Sequence, residues 1–172
     1  MLTKKMEKAL NDQINAEFFS AFLYLSMSAY FNRKNLPGFA HWLYIQYQEE
    51  SAHAMLFFNY VNERGGKAEL KAIEKPDLEW KDSIKVFEEV LKHEQKVTAM
   101  INNLVDIAIQ EKDHATNNKL QWFVAEQVEE EANASEILEQ LKIVEGKGQG
   151  LLLLDRELKT RVFVDPLANP AA

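Results

Sequence analysis

The sequence contains no cysteine. That excludes disulfides, thiolate zinc sites and cysteine-ligated iron–sulfur clusters. A metal held by this chain must therefore be bound through carboxylate, imidazole, amide or water. Such ligands suit iron, manganese, magnesium or calcium, and an imidazole in the set shifts the choice toward transition metals. Glycine (6) and proline (4) are scarce, which favours long uninterrupted helices over a turn-rich β architecture. No apolar run approaches the length of a membrane span. The opening residues, MLTKKMEKALND, lack the apolar centre of a secretory signal. A cytoplasmic location with no membrane partner is expected. A basic excess is lacking too. The formal charge is −7, so no nucleic-acid partner is expected, and an acidic surface or cavity would concentrate cations instead.

The 172 residues, 47% apolar and 27% charged, have the balance of an ordinary folded chain and suit one domain spanning 1–172. Five helical segments can be read. The first runs from Thr3, a suitable N-cap, to about Arg33, and stops at Asn35-Leu36-Pro37-Gly38. Pro37 can open the second, which continues to Arg64 and ends at Gly65-Gly66. A polar connection of about fifteen residues follows, through Pro76, which is long for a compact domain. The third segment begins near Asp82 or Ser83 and ends near Lys112, and a turn around Asp113-His114 leads into a fourth that ends before Gly146. A short fifth helix is expected from Leu151 to Val162, followed by an irregular tail. The bundle thus covers residues 3–145, and the fifth helix lies within 150–163.

Loop length carries topology. The short first and third connections make two antiparallel hairpins. The long middle connection can carry the chain the full length of the bundle, because a helix of about 28 residues spans roughly 42 Å. The predicted fold class is all-α: a four-helix bundle with a long crossover between the second and third helices, plus a short fifth helix.

Each long segment carries a 3/4-spaced apolar stripe, the signature of a buried face. The stripes read Leu10, Ile14, Glu17, Ala21, Tyr24; Phe39, Leu43, Gln46, Glu50, His53, Phe57, Tyr60; Ile84, Phe87, Leu91, Glu94, Thr98, Ile101, Val105; and Leu120, Phe123, Gln127, Glu130, Ala134, Ile137, Leu141. Every stripe is interrupted near its middle by Glu, His or Gln. Glu17 precedes Glu50 by 33 residues and His53 by 36; Glu94 precedes Gln127 by 33 and Glu130 by 36. Each hairpin therefore presents one polar residue on its first helix and an i, i+3 pair on its second, which can reach a common point.

Carboxylates gathered in an apolar core repel one another and carry a large desolvation cost. Protonation or a buried lysine or arginine could relieve it, but the middle of these stripes offers no lysine or arginine. Bound cations supply positive charge to all the carboxylates at once. Four Glu, one His and one Gln suit two metal ions sharing a bridging carboxylate, the arrangement of di-iron carboxylate bundles.

At this point the chain resembles the non-haem ferritins of bacteria and archaea. The resemblance rests on LNDQINAEFFSAFLYLSMSAYF, GFAHWLYIQYQEESAHAMLFFNYVNERGG and QWFVAEQVEEEA, which carry Glu17, Glu50-x-x-His53, Glu94 and Gln127-x-x-Glu130 in order. It implies a ferritin-like bundle in which Glu17, Glu50 and His53 hold one iron, while a bridging Glu50 with Glu94 and Glu130 holds the second. Gln127 would line the site. Glu49, Glu126 and Glu129 match the family's additional carboxylates, which form a third, weaker iron position sharing Glu130. Tyr24 matches the family's tyrosine near the iron pair, and Trp122 a nearby aromatic whose main task is packing.

The departures from relatives point the same way. Bacterioferritins and rubrerythrins carry a second Glu-x-x-His where this chain has Gln127 and Glu130. Ser51 and Ala52 stand where bacterioferritins place a haem-ligating methionine, so no haem is expected. Rubrerythrins add a cysteine-ligated iron domain, which this chain cannot have. His41, His93 and His114 fit no motif and read as surface or local hydrogen-bonding residues.

The resemblance implies a ferroxidase that oxidises Fe(II) with O₂ or peroxide and stores Fe(III) mineral inside a homo-oligomeric cage of about twenty-four subunits. The alternatives are a non-storing di-iron oxidase or peroxidase, which would hold about two ions per chain, and a non-catalytic helical bundle.

Overall fold

The computed structural model describes residues 1–168, and their regular structure is entirely helical. The helices are α1 (Lys4–Arg33), α2 (Pro37–Glu63), α3 (Ser83–Gln110), α4 (His114–Ile143) and α5 (Gly148–Leu158), followed by one 3₁₀ turn, Pro166–Ala168. Three of the long helices start on side-chain caps. Thr3 accepts from Met6 N, Asp82 from Lys85 N and Asp113 from Thr116 N. Each such cap contributes about 1 kcal/mol by satisfying an orphan amide.

The second helix starts differently. Leu36 offers no capping side chain, although Pro37 supplies a preset φ. The cap comes instead from α5: Asp155 Oδ1 accepts from Gly38 N at 2.8 Å and Phe39 N at 3.0 Å. The contact is so close that a Cβ on residue 38 would lie 1.5 Å from the Asp155 carbonyl oxygen. Glycine is required there by space alone.

All four long helices end alike. Asn35, Gly65, Lys112 and Glu145 adopt left-handed backbone, with φ between 52° and 70°. After each, the next amide donates back five residues: Leu36 to Phe31, Gly66 to Val61, Asp113 to Ala108, and Gly146 to Leu141. This is the Schellman closure, which satisfies the last carbonyls. Only one of the four uses glycine at the left-handed position, so three of these stops carried no glycine signal there.

The connection between α2 and α3 crosses the length of the bundle, strapped along α1. Asn11 is hydrogen-bonded to the Lys67 carbonyl and the Glu69 amide, Asn15 to the Ala72 carbonyl, Ser26 to the Asp77 carbonyl and Arg33 to the Leu78 carbonyl. Contacts at the ends fix the directions. Lys5 meets Gln110, so α1 and α3 are antiparallel; Arg64 meets Asp113 and Thr116, so α2 and α4 are antiparallel. Hence α2 and α3 run parallel, as the crossover expectation requires.

The apolar core has two halves. One gathers Tyr24, Phe31, Phe39, Leu43, Phe87 and Leu141; the other gathers Leu10, Phe57, Ile101, Leu120 and Phe123. Between them lies a layer of buried polar side chains. The predicted stripes of α1, α2 and α4 are buried at every position. The α3 stripe needs correction. Phe87, Glu94 and Ile101 are buried, but Ile84, Leu91, Thr98 and Val105 are only half-buried. The buried face is centred to one side, on Val86, Val90, Val97 and Leu104. The fifth helix is also displaced: it opens at Gly148 and closes at Leu158, short of Val162. Beyond it the chain turns back to pack its 3₁₀ turn on α2. Residues 169–172 of the expected single domain lie outside the described residues.

Candidate metal centre

The polar layer contains the sequence-predicted residues. Glu17, Glu50, His53, Glu94, Gln127 and Glu130 are each no more than 6% exposed. Glu17, Glu50 and His53 each offer a ligand atom, and these lie within 4.8 Å of one another. His53 Nδ1 is 3.7 Å from Glu50 Oε2. The second hairpin contributes the facing group. Gln127 Nε2 donates to Glu94 Oε2 at 3.2 Å and to the Glu94 carbonyl at 3.3 Å. The Tyr24 hydroxyl donates to Glu94 Oε1. Gln46 Nε2 donates to Glu130 Oε2 at 2.9 Å, and Gln13 Nε2 to Glu17 Oε1 at 2.8 Å.

These bonds leave the layer short of donors. Glu17 Oε2 and Gln46 Oε1 are buried with no hydrogen-bond partner. An unmet buried acceptor costs about 1–3 kcal/mol, more when charged. Burial, then the charge of Glu50, pushes the Glu17 carboxyl up to about 8. Burial, then Glu130, pushes Glu94 up to about 8. Glu50 is raised well above the ordinary carboxylate range by burial and by Glu94 and Glu130. The Tyr24 hydroxyl is likewise raised, by burial and by Glu94, and so stays protonated as a donor. The layer therefore holds more carboxyl oxygens than it can keep ionised unaided, and a cation would favour their charged form in place of the protons. Its donor set of carboxylates and one imidazole is compatible with iron.

Aromatic rings wall one side. His53 stands edge-on to Trp122 at 5.5 Å and to Phe123 at 5.9 Å. On the other side His93 packs edge-on to Tyr24 at 5.9 Å, and its Nε2 is 2.8 Å from Ser20 Oγ. Burial holds the His93 imidazole down to about 4, so it is neutral at physiological pH.

Outside His53 a cleft of about 370 Å³ opens between α2, α4 and the tail. Glu49, Glu126, Glu129 and Glu130 line it, along with Trp122. Burial lifts Glu49 to about 7 against the opposing pull of Arg161, and burial raises Glu126 as well.

Comparison with known proteins assigns the fold to a family. The family model of the ferritin-like domain matches residues 7–144. The chain belongs to the ferritin family. A bacterial non-heme ferritin of Bacteroides fragilis is 44% identical over 161 residues, covering 94% of this chain and 100% of that one. A Staphylococcus aureus counterpart is 40% identical over 163 residues, with 95% and 98% covered. Among solved structures, an open-pore ferritin from the hyperthermophilic archaeon Archaeoglobus fulgidus shares 51% identity. It covers 94% of this chain and 100% of that one, with a TM-score of 0.93.

Within this ferritin fold the sequence-predicted residues fall into two neighbouring groups. Glu17, Glu50, His53, Glu94, Gln127, Glu130 and Tyr24 share the buried layer, while Glu49, Glu126 and Glu129 line the cleft beside it. His114 is exposed at the start of α4, as expected, but His41 and His93 are neither surface nor local: both are half-buried and hydrogen-bond across the fold, His41 to the Arg161 carbonyl and His93 to Ser20 on α1. Sequence reasoning missed three participants. Gln13 lies one turn before Glu17, a spacing that was available as a signal. Gln46 sat in the α2 stripe without an assigned partner. Arg161 comes from the tail, where no periodic pattern pointed to it.

Proposed function

We propose that this ferritin chain is a ferroxidase and iron-storage subunit. The observation that carries the reading is the buried Glu17–Glu50–His53 cluster with an unpartnered Glu17 oxygen, faced across the core by Glu94 and Glu130. In this reading Fe(II) is the substrate. Glu17, Glu50 and His53 bind one ion; Glu50, Glu94 and Glu130 bind the other, with Glu50 shared. Gln127 and Tyr24 hold Glu94 in place through their hydrogen bonds. Two Fe(II) ions together supply two electrons, which reduce O₂ with two protons to hydrogen peroxide, or peroxide to water. Pairing the electrons avoids one-electron reduction of oxygen. Hard anionic ligands favour the ferric product.

Glu49, Glu126 and Glu129, with Glu130, are the ligands of a third and weaker iron position in the cleft. The whole chain forms one domain, assembles into a closed homo-oligomeric cage of about twenty-four copies and works in the cytoplasm. The solved relatives are ferritins in open-pore and engineered closed forms, which supports a cage with a tunable shell. Among the described residues no helix is long and apolar enough to cross a membrane.

Aerobic loading of the purified apoprotein with Fe(II), well beyond two ions per chain, tests the reading. Fast formation of Fe(III), with the excess iron eluting alongside a large assembly, is the expected result. Fast oxidation that stops near two ions per chain would indicate a non-storing di-iron oxidase. No acceleration over buffer would overturn both.

A further inference from the structure

The tail beyond α5 returns to the bundle and places one guanidinium in the acidic cleft. Arg161 Nη2 donates to Glu49 Oε2 at 2.6 Å, with the two side chains only 19% and 16% exposed. The guanidinium also lies 4.4 Å from the Trp42 ring centroid, a cation–π distance. His41 Nε2 holds the Arg161 backbone by donating to its carbonyl at 2.8 Å. On α4, Glu126, Glu129 and Glu130 line the cleft, His53 and the tail carboxylate Asp165 border it too, and Arg161 is the one lysine or arginine among the cleft residues.

Two properties make this contact more than a surface ion pair. A guanidinium does not lose its proton in proteins, so Arg161 is a permanent cation among these carboxylates. It is also incompletely satisfied: Nη1 is buried with no partner. A buried donor left unmet carries a desolvation cost, which offsets part of what the Glu49 bond contributes. Arg161 is therefore held firmly enough to occupy Glu49, yet without the full set of bonds that would make it immovable.

We propose that Arg161 is a tethered counter-cation that competes with an incoming metal ion for Glu49, and so sets the affinity of the cleft formed by Glu49, Glu126, Glu129 and Glu130. This inference rests on reading that cleft as a third metal position. While Arg161 holds Glu49, an ion entering the cleft finds the α4 carboxylates and Asp165 but not Glu49, and binds weakly. Capture of Glu49 by the ion requires the guanidinium to leave, and its return promotes release. The cleft then serves as a transit position next to the pair rather than a place of residence.

The test is calorimetric titration of full-length apoprotein with Zn(II) alone, with anomalous diffraction from Zn(II)-soaked crystals to locate each ion. Wild type is expected to bind two ions in the buried layer and one more weakly in the cleft. Arg161→Gln should tighten the cleft ion about tenfold, the scale of one charge-assisted hydrogen bond, and leave the buried pair unchanged. Adding Glu49→Gln to that variant should abolish the gain. Arg161→Lys keeps the charge and the apolar stem, and so covers the case in which Arg161→Gln misassembles. Its ammonium cannot both fork and stack, so an intermediate tightening is expected. Unchanged or weakened cleft binding in these variants would overturn the proposal. So would a buried pair that fills normally with no ion in the cleft of any variant. Failure of Zn(II) to enter the buried layer at all would instead overturn the reading of the metal centre.

Discussion

The Tyr24 hydroxyl on α1 donates a hydrogen bond to Glu94 Oε1 on α3, joining the two hairpins inside the polar layer. Tyr24→Phe removes that donor and leaves a buried oxygen with less support. The variant is expected to lose about 1–2 kcal/mol of apoprotein stability, the usual cost of an orphaned buried partner. It should also slow Fe(II) oxidation, because Glu94 is no longer held in one orientation. Thermal melting and stopped-flow absorbance would check the two effects. Unchanged oxidation with lowered stability would confine Tyr24 to packing.

The raised carboxyls give the apoprotein an unusual pH dependence. Glu17 and Glu94 rise to about 8, and Glu50 rises as well. The folded chain therefore binds more protons than the unfolded chain between about pH 4.5 and 8. By linkage, apoprotein stability should fall as pH rises through this window, by at most about 1.4 kcal/mol per pH unit for each such group. Metal binding must displace those protons. Zn(II) should therefore stabilise the protein more at pH 8 than at pH 6 and release protons measurably in weak buffer. A melting temperature of the apoprotein that climbs from pH 6 to pH 8 would refute this.

Glu50→Gln separates stability from activity. It replaces a carboxyl that the apoprotein must either keep protonated or carry as a desolvated charge, so the apoprotein should be as stable as wild type, and more so as pH rises. It also removes the carboxylate that both ions are proposed to share, so rapid oxidation should be lost. Loss of both stability and activity in a correctly assembled variant would contradict the metal-site reading. Glu17→Gln is expected to behave similarly, with Gln13 remaining as its neighbour.

Asp155 is the cap that α2 lacks in its own sequence. Asp155→Ala should cost about 1 kcal/mol, the usual value of an N-cap, and loosen α5 from α2. Gly38→Ala should cost more, because a Cβ there would meet the Asp155 backbone at 1.5 Å and α5 would have to move away. Deletion from Gly148 onward is expected to weaken the cage. Size-exclusion of the variants under mild heating would reveal it, and an intact cage in the truncated protein would sink the idea.

Helix existence, the crossover and the buried polar layer were legible because each rests on local periodicity or on loop length. The 33- and 36-residue spacings match Glu17 with Glu50 and His53, and Glu94 with Gln127 and Glu130, and their equality makes the two hairpins repeats whose polar residues meet when they dock in register. The rotation of α3 was not legible. Its half-buried flank carries Ile84, Leu91 and Val105, which are as apolar as the residues that face the centre. The cap from Asp155 and the ion pair from Arg161 were hidden for a different reason. Both join residues more than a hundred positions apart, through a segment whose fold-back leaves no periodic trace.

The division of the proposed ligands between hairpins bears on how the chain folds. Glu17, Glu50 and His53 belong to α1 and α2, whereas Glu94, Gln127 and Glu130 belong to α3 and α4. Each hairpin is a local unit of the kind that forms early, and the crossover delays their meeting because its loop must close first. The first hairpin can assemble three of the proposed ligands alone, but Glu50, proposed to be shared, acquires its opposite partners only on docking. An ion pair bridging the layer would thus clasp two independently formed halves. Hydrogen exchange in the crossover and at the interface between hairpins should consequently slow on metal addition more than exchange within either hairpin.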